Sequence, residues 1–252
     1  MFLNLDYYSI ILMLIALSLG GFVKGVVSFG LPLVALPILS FILNPKQAIF
    51  LLFFSVIAVN FRELKFKNLK TYKKIIPLSI GLFVGIIIGS VIFHKIENNF
   101  ISQMIGFTII LCAIINYSDF KINSDLLLNI FFSITYGFFC GILGGMTTLV
   151  GPLIAIYLVS LNLKKDEFSE LVSLTIFSCL IPIFGIFFIY QEIIFIDFLI
   201  SAIFAIPAIF MQLLGFKIRE MLPQDTFKKM ILSMLTIIAV SYTHLRAHET
   251  LM

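Results

Sequence analysis

Residues 20–37 read GGFVKGVVSFGLPLVALP, and the interpretation of the whole chain starts from this stretch. It lies where a membrane helix should run without interruption, yet glycines, prolines and Lys24 interrupt the apolar sequence. Glycine tolerates close backbone contact and positive φ, whereas proline removes a hydrogen-bond donor. Because unpaired backbone groups are costly in hydrocarbon, broken backbone at membrane depth persists only inside protein or beside a cavity. The stretch therefore predicts a broken helix that lines a site.

The same pattern returns in the second half of the chain. GFFCG at 137–141 repeats GFVKG at 21–25 with an offset of 116 residues, and PLIAI at 152–156 echoes PLVAL at 32–36 with an offset of 120. Two segments interrupted by glycine and proline, at matching places in two halves, indicate the binding site of a transporter. The alternative is that small residues merely allow helices to pack closely.

The composition is that of a membrane protein. The 252 residues are 61% hydrophobic and 12% charged, whereas a soluble domain is about 45–50% apolar and about 25% charged. We therefore predict an all-α polytopic membrane protein whose partners are the lipid bilayer and a small anionic substrate. Its positive residues fall in loops, so we do not expect nucleic acid as a binding partner. The sequence does not determine the oligomeric state.

Ten apolar segments suggest two repeated halves of four to five transmembrane segments each, with a broken helix at the start of each half. We assign residues 1–117 to the first repeat, 118–125 to a connecting loop and 126–240 to the second repeat. Since a span needs about 20 apolar residues, three segments are too short and are expected to be half-helices, re-entrant pieces or tilted helices: 31–43, 49–61 and 149–163. Five segments in each half would invert the second repeat, whereas four would leave the repeats parallel.

The loop at 62–74 is the most basic one, with Arg62 and five lysines against the single acid Glu63. Positively charged loops remain on the cytoplasmic side, so we predict that this loop is cytoplasmic. The chain begins without a basic region before its apolar run, so no cleavable signal peptide is expected.

The last residues, SYTHLRAHETLM at 241–252, differ in composition from the rest of the chain and resemble a translated sequencing adapter. The apolar segment before them, 227–240, is shorter than a span. We therefore expect a tail foreign to the fold and a last helix truncated near Val240.

No enzymatic motif and no metal-ligand cluster is visible, so we expect no catalytic residue, no metal and no cofactor. Lys24 is the one ionisable residue well inside a motif at membrane depth. Either it snorkels from the end of the first helix, or it attracts an anion beside helix N-termini near Gly30–Pro32 and Gly151–Pro152. The candidate substrate-binding residues are Lys24, Gly25, Ser28, Gly30, Pro32, Asn60, Gly141, Gly144, Gly145, Thr148, Gly151 and Pro152.

Both motifs resemble the sulfite exporter TauE/SafE family. The resemblance is carried by the first motif with the LNPKQA that follows it, and by GFFCGILGGMTTLVGPLIAIYL with the LNLKKDEF that follows it. The resemblance extends to about Val240, and the chain departs from the usual pattern at 28–31 and 146–148. It implies a permease of the bacterial plasma membrane that moves sulfite, sulfoacetate or related anions, with export the expected direction. The alternative function is a non-transporting membrane subunit or assembly factor whose glycines serve helix packing.

Overall fold

A computed structural model describes residues 6–65, 72–73, 75–117, 126–127, 129–161, 163–190, 194–227, 229–231 and 233. The described residues are largely helical and contain no strand. The predicted connecting loop at 118–125 and the tail at 241–252 lie outside them. Ten helices have defined bounds in the described chain: α1 (Tyr7–Val27), α2 (Leu31–Leu39), α3 (Pro45–Leu51), α4 (Phe53–Phe61), α5 (Ile76–Lys95), α6 (Asn98–Tyr117), α7 (Ile130–Thr147), α8 (Val150–Val159), α9 (Lys165–Tyr190) and α10 (Phe195–Met221).

Five of these helices, α1, α5, α7, α9 and α10, are long and apolar enough to cross a membrane. Helices α2 and α8 have only 9 and 10 residues, as their short apolar segments predicted. Large apolar side chains such as Ile80, Phe83 and Ile87 are exposed on the outside of α5. This distribution fits a protein whose surrounding solvent is lipid, and we conclude that the chain is an all-helical multi-pass membrane protein.

The first helix is longer than its sequence suggested. The glycines from residue 20 onwards predicted a broken helix, but α1 starts after the N-cap Asp6 and continues through Gly20, Gly21 and Gly25 to Val27. The break is confined to residues 28–30. The glycines inside α1 are therefore explained by what the helix packs against.

Helix α1 packs along α10 with the two backbones in contact. A Cβ atom built on Gly21 would lie 2.2 Å from the carbonyl oxygen of Ala208, and one on Gly25 would lie 2.4 Å from that of Gln212. Any side chain at these two glycines would force the helices apart, so the close packing of α1 on α10 requires them.

Helices α5 and α7 make the same kind of contact over a longer distance. Each carries three glycines at four-residue spacing, which places them on one face of the helix. A Cβ atom on any of the six would lie 2.1–2.6 Å from a carbonyl oxygen of the partner helix: Gly81, Gly85 and Gly89 on α5, and Gly137, Gly141 and Gly145 on α7. Two pairs of tightly packed helices, α1 with α10 and α5 with α7, thus hold the breaks in place.

Candidate functional site

The two helix breaks have matching geometry. Ser28 ends α1 with a φ of 76°, and its N–H donates to the carbonyl oxygen of Lys24 at 2.9 Å. Thr148 ends α7 with a φ of 59°, and its N–H donates to the carbonyl oxygen of Gly144 at 2.6 Å. These are the only non-glycine residues with positive φ in the described chain. Such backbone costs free energy for residues with a side chain, and in many proteins it occurs at functional sites.

The breaks come together around one internal space, which we call the central cavity. A Cβ atom built on Gly151 would lie 3.3 Å from the Cβ atom of Phe29, so the two breaks are in contact. The cavity offers about 40 Å³ to the centres of water-sized molecules, more than one water needs. Seven of the predicted site residues line it: Lys24, Gly30, Pro32, Asn60, Thr148, Gly151 and Pro152.

The N-termini of α2 and α8 both border the central cavity, and neither has a side-chain cap. Free N–H groups and the helix dipole make such N-termini favourable for negative charge. Asn60 adds a buried amide: its Nδ2 donates to the carbonyl oxygen of Val56 at 2.8 Å, while its Oδ1 has no hydrogen-bond partner among the described residues. The remaining lining is mostly apolar, with side chains such as Leu52 and Ile183.

The other five candidates do not line the central cavity. Gly25, Gly141 and Gly145 lie in the helix interfaces described above, where backbone contact accounts for the absence of a side chain. A Cβ atom on Gly144 would lie 2.5 Å from a methyl group of Val150, so that glycine makes room for the start of α8. The fifth candidate, Ser28, contacts a cluster of buried charges.

That cluster, which we call the ion triad, consists of Lys24, Glu63 and Arg219. Lys24 is 1% exposed, and its Nζ donates to Glu63 Oε2 at 2.9 Å, to Ser173 Oγ at 2.8 Å and to the carbonyl oxygen of Ser28. Since the ammonium group is buried and has partners inside the protein, Lys24 does not snorkel to an interface. It instead sits inside α1, beside the end of the helix and the central cavity.

The guanidinium of Arg219 holds the other carboxylate oxygen of Glu63. Its Nη1 lies 2.9 Å from Glu63 Oε1 and 2.7 Å from the hydroxyl oxygens of both Ser28 and Ser169. Glu63 and Arg219 are 5% and 3% exposed. Two cations and one carboxylate leave the triad with one net positive charge next to the cavity.

Glu63 and Arg219 are not among the predicted site residues, because both stand in basic stretches of the sequence that read as loops. Helical spacing could have found them. Glu63 lies three, four and seven residues after the buried residues Asn60, Val59 and Val56, which is helical spacing. Arg219 continues, at intervals of three to four residues, the face of α10 on which other small and polar residues are buried: Ser201, Ala205, Ala208, Gln212 and Gly215.

The ion triad and a cluster of phenylalanines lie towards opposite ends of the central cavity. Along α9, Ser173 contacts the triad, Cys179 and Leu180 line the cavity, and Phe184 borders it. Phe184 packs edge-on against Phe53 of α4, with ring centroids 4.4 Å apart. From Ser173 to Phe184 a helix rises about 16 Å. Helix α4 passes the same features in reverse order, from Phe53 to Glu63, which lies two residues beyond the end of the helix.

A multi-pass helical protein with two helix breaks around an internal cavity, beside buried charge, has the architecture of a membrane transporter. The family model described as sulfite exporter TauE/SafE matches residues 12–242, and the chain belongs to that family. No curated protein and no solved structure matched the chain. Membership of a transporter family agrees with the lack of enzymatic motifs in the sequence. The described residues contain no group of three or more side chains placed to hold a metal ion.

Proposed function

We propose that the chain is a secondary transporter that carries small sulfur-containing or organic anions, such as sulfite or sulfoacetate, across the bacterial plasma membrane, with export as its direction. One observation carries the proposal: the central cavity lies between the N-termini of α2 and α8 and is bordered by Lys24. Both features favour a negatively charged occupant.

The lining suits an anion with a small organic part. Lys24 is the one charged residue among those that line the central cavity in the described chain, and no carboxylate lines it. Backbone N–H groups, Thr148 and Asn60 offer polar contacts for an oxyanion, while the apolar lining suits a methylene group such as that of sulfoacetate.

The helix packing supports two repeated halves. Helix α1, which opens the first predicted half, packs along α10 of the second, while α7, which opens the second half, packs along α5 of the first. Helices α5 and α10 correspond to the fourth apolar segment of each half, at 75–93 and 193–216. With α6 and the segment at 227–240 as the fifth members, the halves would have opposite orientations in the membrane.

Flux measurements in proteoliposomes test the proposal. Purified protein should give saturable uptake of radiolabelled sulfite or sulfoacetate, and unlabelled anion inside the vesicles should accelerate it by exchange. Liposomes without protein provide the background. A non-transporting subunit would give no saturable flux with any anion tested, and that result would refute the proposal. Export is tested in cells that lack their own sulfite exporters, where expression should raise the tolerated sulfite concentration.

A further inference from the structure

Among the described residues, Glu63 is the one carboxylate that pairs with Lys24 and Arg219, and it lies between two cavities. On one side, Lys24 borders the central cavity. On the other side lies a second cavity of about 60 Å³, which we call the vestibule, lined by Arg62, Glu63, Lys65, Asp166, Ser169, Phe216 and Arg219. The side chains of Lys65 and Asp166 are 40% and 62% exposed, so the vestibule reaches the protein surface.

The carboxylate of Glu63 is held by four donors, which we call the donor cradle. Oε2 accepts from Lys24 Nζ at 2.9 Å, from Ser169 Oγ at 2.8 Å and from Ser173 Oγ at 2.6 Å. Oε1 accepts from Arg219 Nη1 at 2.9 Å. Charge-assisted hydrogen bonds of this kind are strong, and a sulfonate or sulfite group could accept all of them.

The four donors of the cradle lie on long helices, whereas the acceptor, Glu63, lies outside a helix. Lys24, Arg219 and the two serines are on the long helices α1, α10 and α9, whereas Glu63 follows the end of α4. The charges are also unequal, because the two cations of the cradle face one carboxylate. If Glu63 moved away, the cradle would carry two unpaired positive charges on rigid helices, and burial of unpaired charge is very unfavourable. Another anion would therefore be needed in its place.

We propose that Glu63 acts as an internal anion that fills the donor cradle while the passage is closed, and that the transported oxyanion replaces its carboxylate on the way between the central cavity and the vestibule. This inference rests on the proposed function, because it identifies the step at which the substrate passes the triad. A purely structural triad would hold α1, α9 and α10 together without ever exchanging its carboxylate.

Glu63→Gln tests the exchange, because it removes the competing charge and keeps the side chain's size. With [¹⁴C]sulfoacetate as the probe, purified Glu63→Gln should bind at least tenfold more tightly than the original protein. Its unfolding temperature should rise steeply with sulfoacetate concentration, since the anion supplies the missing charge. Glu170→Gln is the matched control: Glu170 is also buried, but it accepts from the backbone N–H of Lys65 at 2.8 Å and from the Tyr72 hydroxyl. It should bind sulfoacetate like the original protein.

Unchanged or weaker binding by Glu63→Gln would overturn the inference. If that variant does not fold, Glu63→Asp provides the test, because it keeps the charge but withdraws the carboxylate by one methylene group. It should bind sulfoacetate more tightly than the original protein, and equal or weaker binding would overturn the inference. Flux of the original protein is measured in parallel. If the original protein gives flux but the variants do not bind sulfoacetate more tightly, only the role of Glu63 as an internal anion is refuted. If the variants bind sulfoacetate more tightly but the original protein gives no flux, the proposed transport function is refuted and the donor cradle is supported as an anion site.

Discussion

Lys24→Gln should weaken the affinity of the transporter for its anion while the protein stays folded and inserted. The substitution removes one positive charge and lowers the net charge of the ion triad from one to zero. Glu63 keeps Arg219 Nη1 at 2.9 Å and the hydroxyls of Ser169 and Ser173, so no buried carboxylate is left without a partner. Because the carboxylate remains compensated, we expect the fold to survive the change.

The size of the effect follows from Coulomb's law. At an effective dielectric constant of about 20, a unit charge about 8 Å from a monoanion contributes about 2 kcal/mol. That free energy corresponds to about a 30-fold change in affinity. The half-saturation concentration of flux in proteoliposomes should therefore rise by about that factor in Lys24→Gln.

Two control variants accompany this measurement. Lys24→Arg keeps the charge and should retain most of the affinity. Lys73→Gln removes a charge from an exposed lysine of the basic loop and should leave the half-saturation concentration unchanged. If Lys24→Gln transports with the half-saturation concentration of the original protein, the charge of Lys24 plays no part in anion binding, and the reasoning is refuted.

Three further predictions concern packing, topology and the tail. Gly141→Ala should lower the stability by about 1–3 kcal/mol through overpacking, because its Cβ atom would lie 2.6 Å from the carbonyl oxygen of Leu82. Gly185→Ala should be tolerated, because a Cβ atom there meets no atom within 4 Å. Equal unfolding temperatures of the two variants would contradict the close packing of α7 on α5. A cysteine at Lys73 should resist impermeant maleimide added outside intact cells, and strong labelling would reverse the predicted orientation. Deletion of residues 241–252 should leave flux unchanged, because their composition differs from that of the apolar segments. A clear loss of flux would show that they belong to the protein.

The overall class of the fold could be predicted because membrane helices are encoded by the local sequence. The sequence predicted four to five membrane segments in each half, and five helices of the described residues are long and apolar enough to span. The short runs after each motif correctly indicated the short helices α2 and α8. The breaks themselves were located only within several residues. Glycine signals both a break and a close helix contact, and only the packing partner distinguishes the two: Gly30 has a φ of 103°, whereas Gly25 lies inside α1 against Gln212.

The candidate site could be predicted in part for the same reason. Its backbone elements are marked locally by proline and glycine, and seven of the twelve candidates line the central cavity. The ion triad is different because its three members are far apart in the sequence, and Lys24 lies 195 residues before Arg219. A buried glutamate and a buried arginine within basic stretches look like ordinary loop residues until tertiary packing brings them to Lys24.

Protection of Cys179 by the substrate is the most direct test of the claim that the central cavity holds the transported anion. Cys179 lines the cavity and is 1% exposed, and Cys112→Ala with Cys140→Ala leaves it as the only thiol, since the chain has three cysteines. Alkylation by iodoacetamide is measured in proteoliposomes at increasing concentrations of sulfoacetate, alongside flux. We expect sulfoacetate to slow alkylation with the same half-maximal concentration at which it saturates transport. An alkylation rate that stays constant while transport saturates would contradict it.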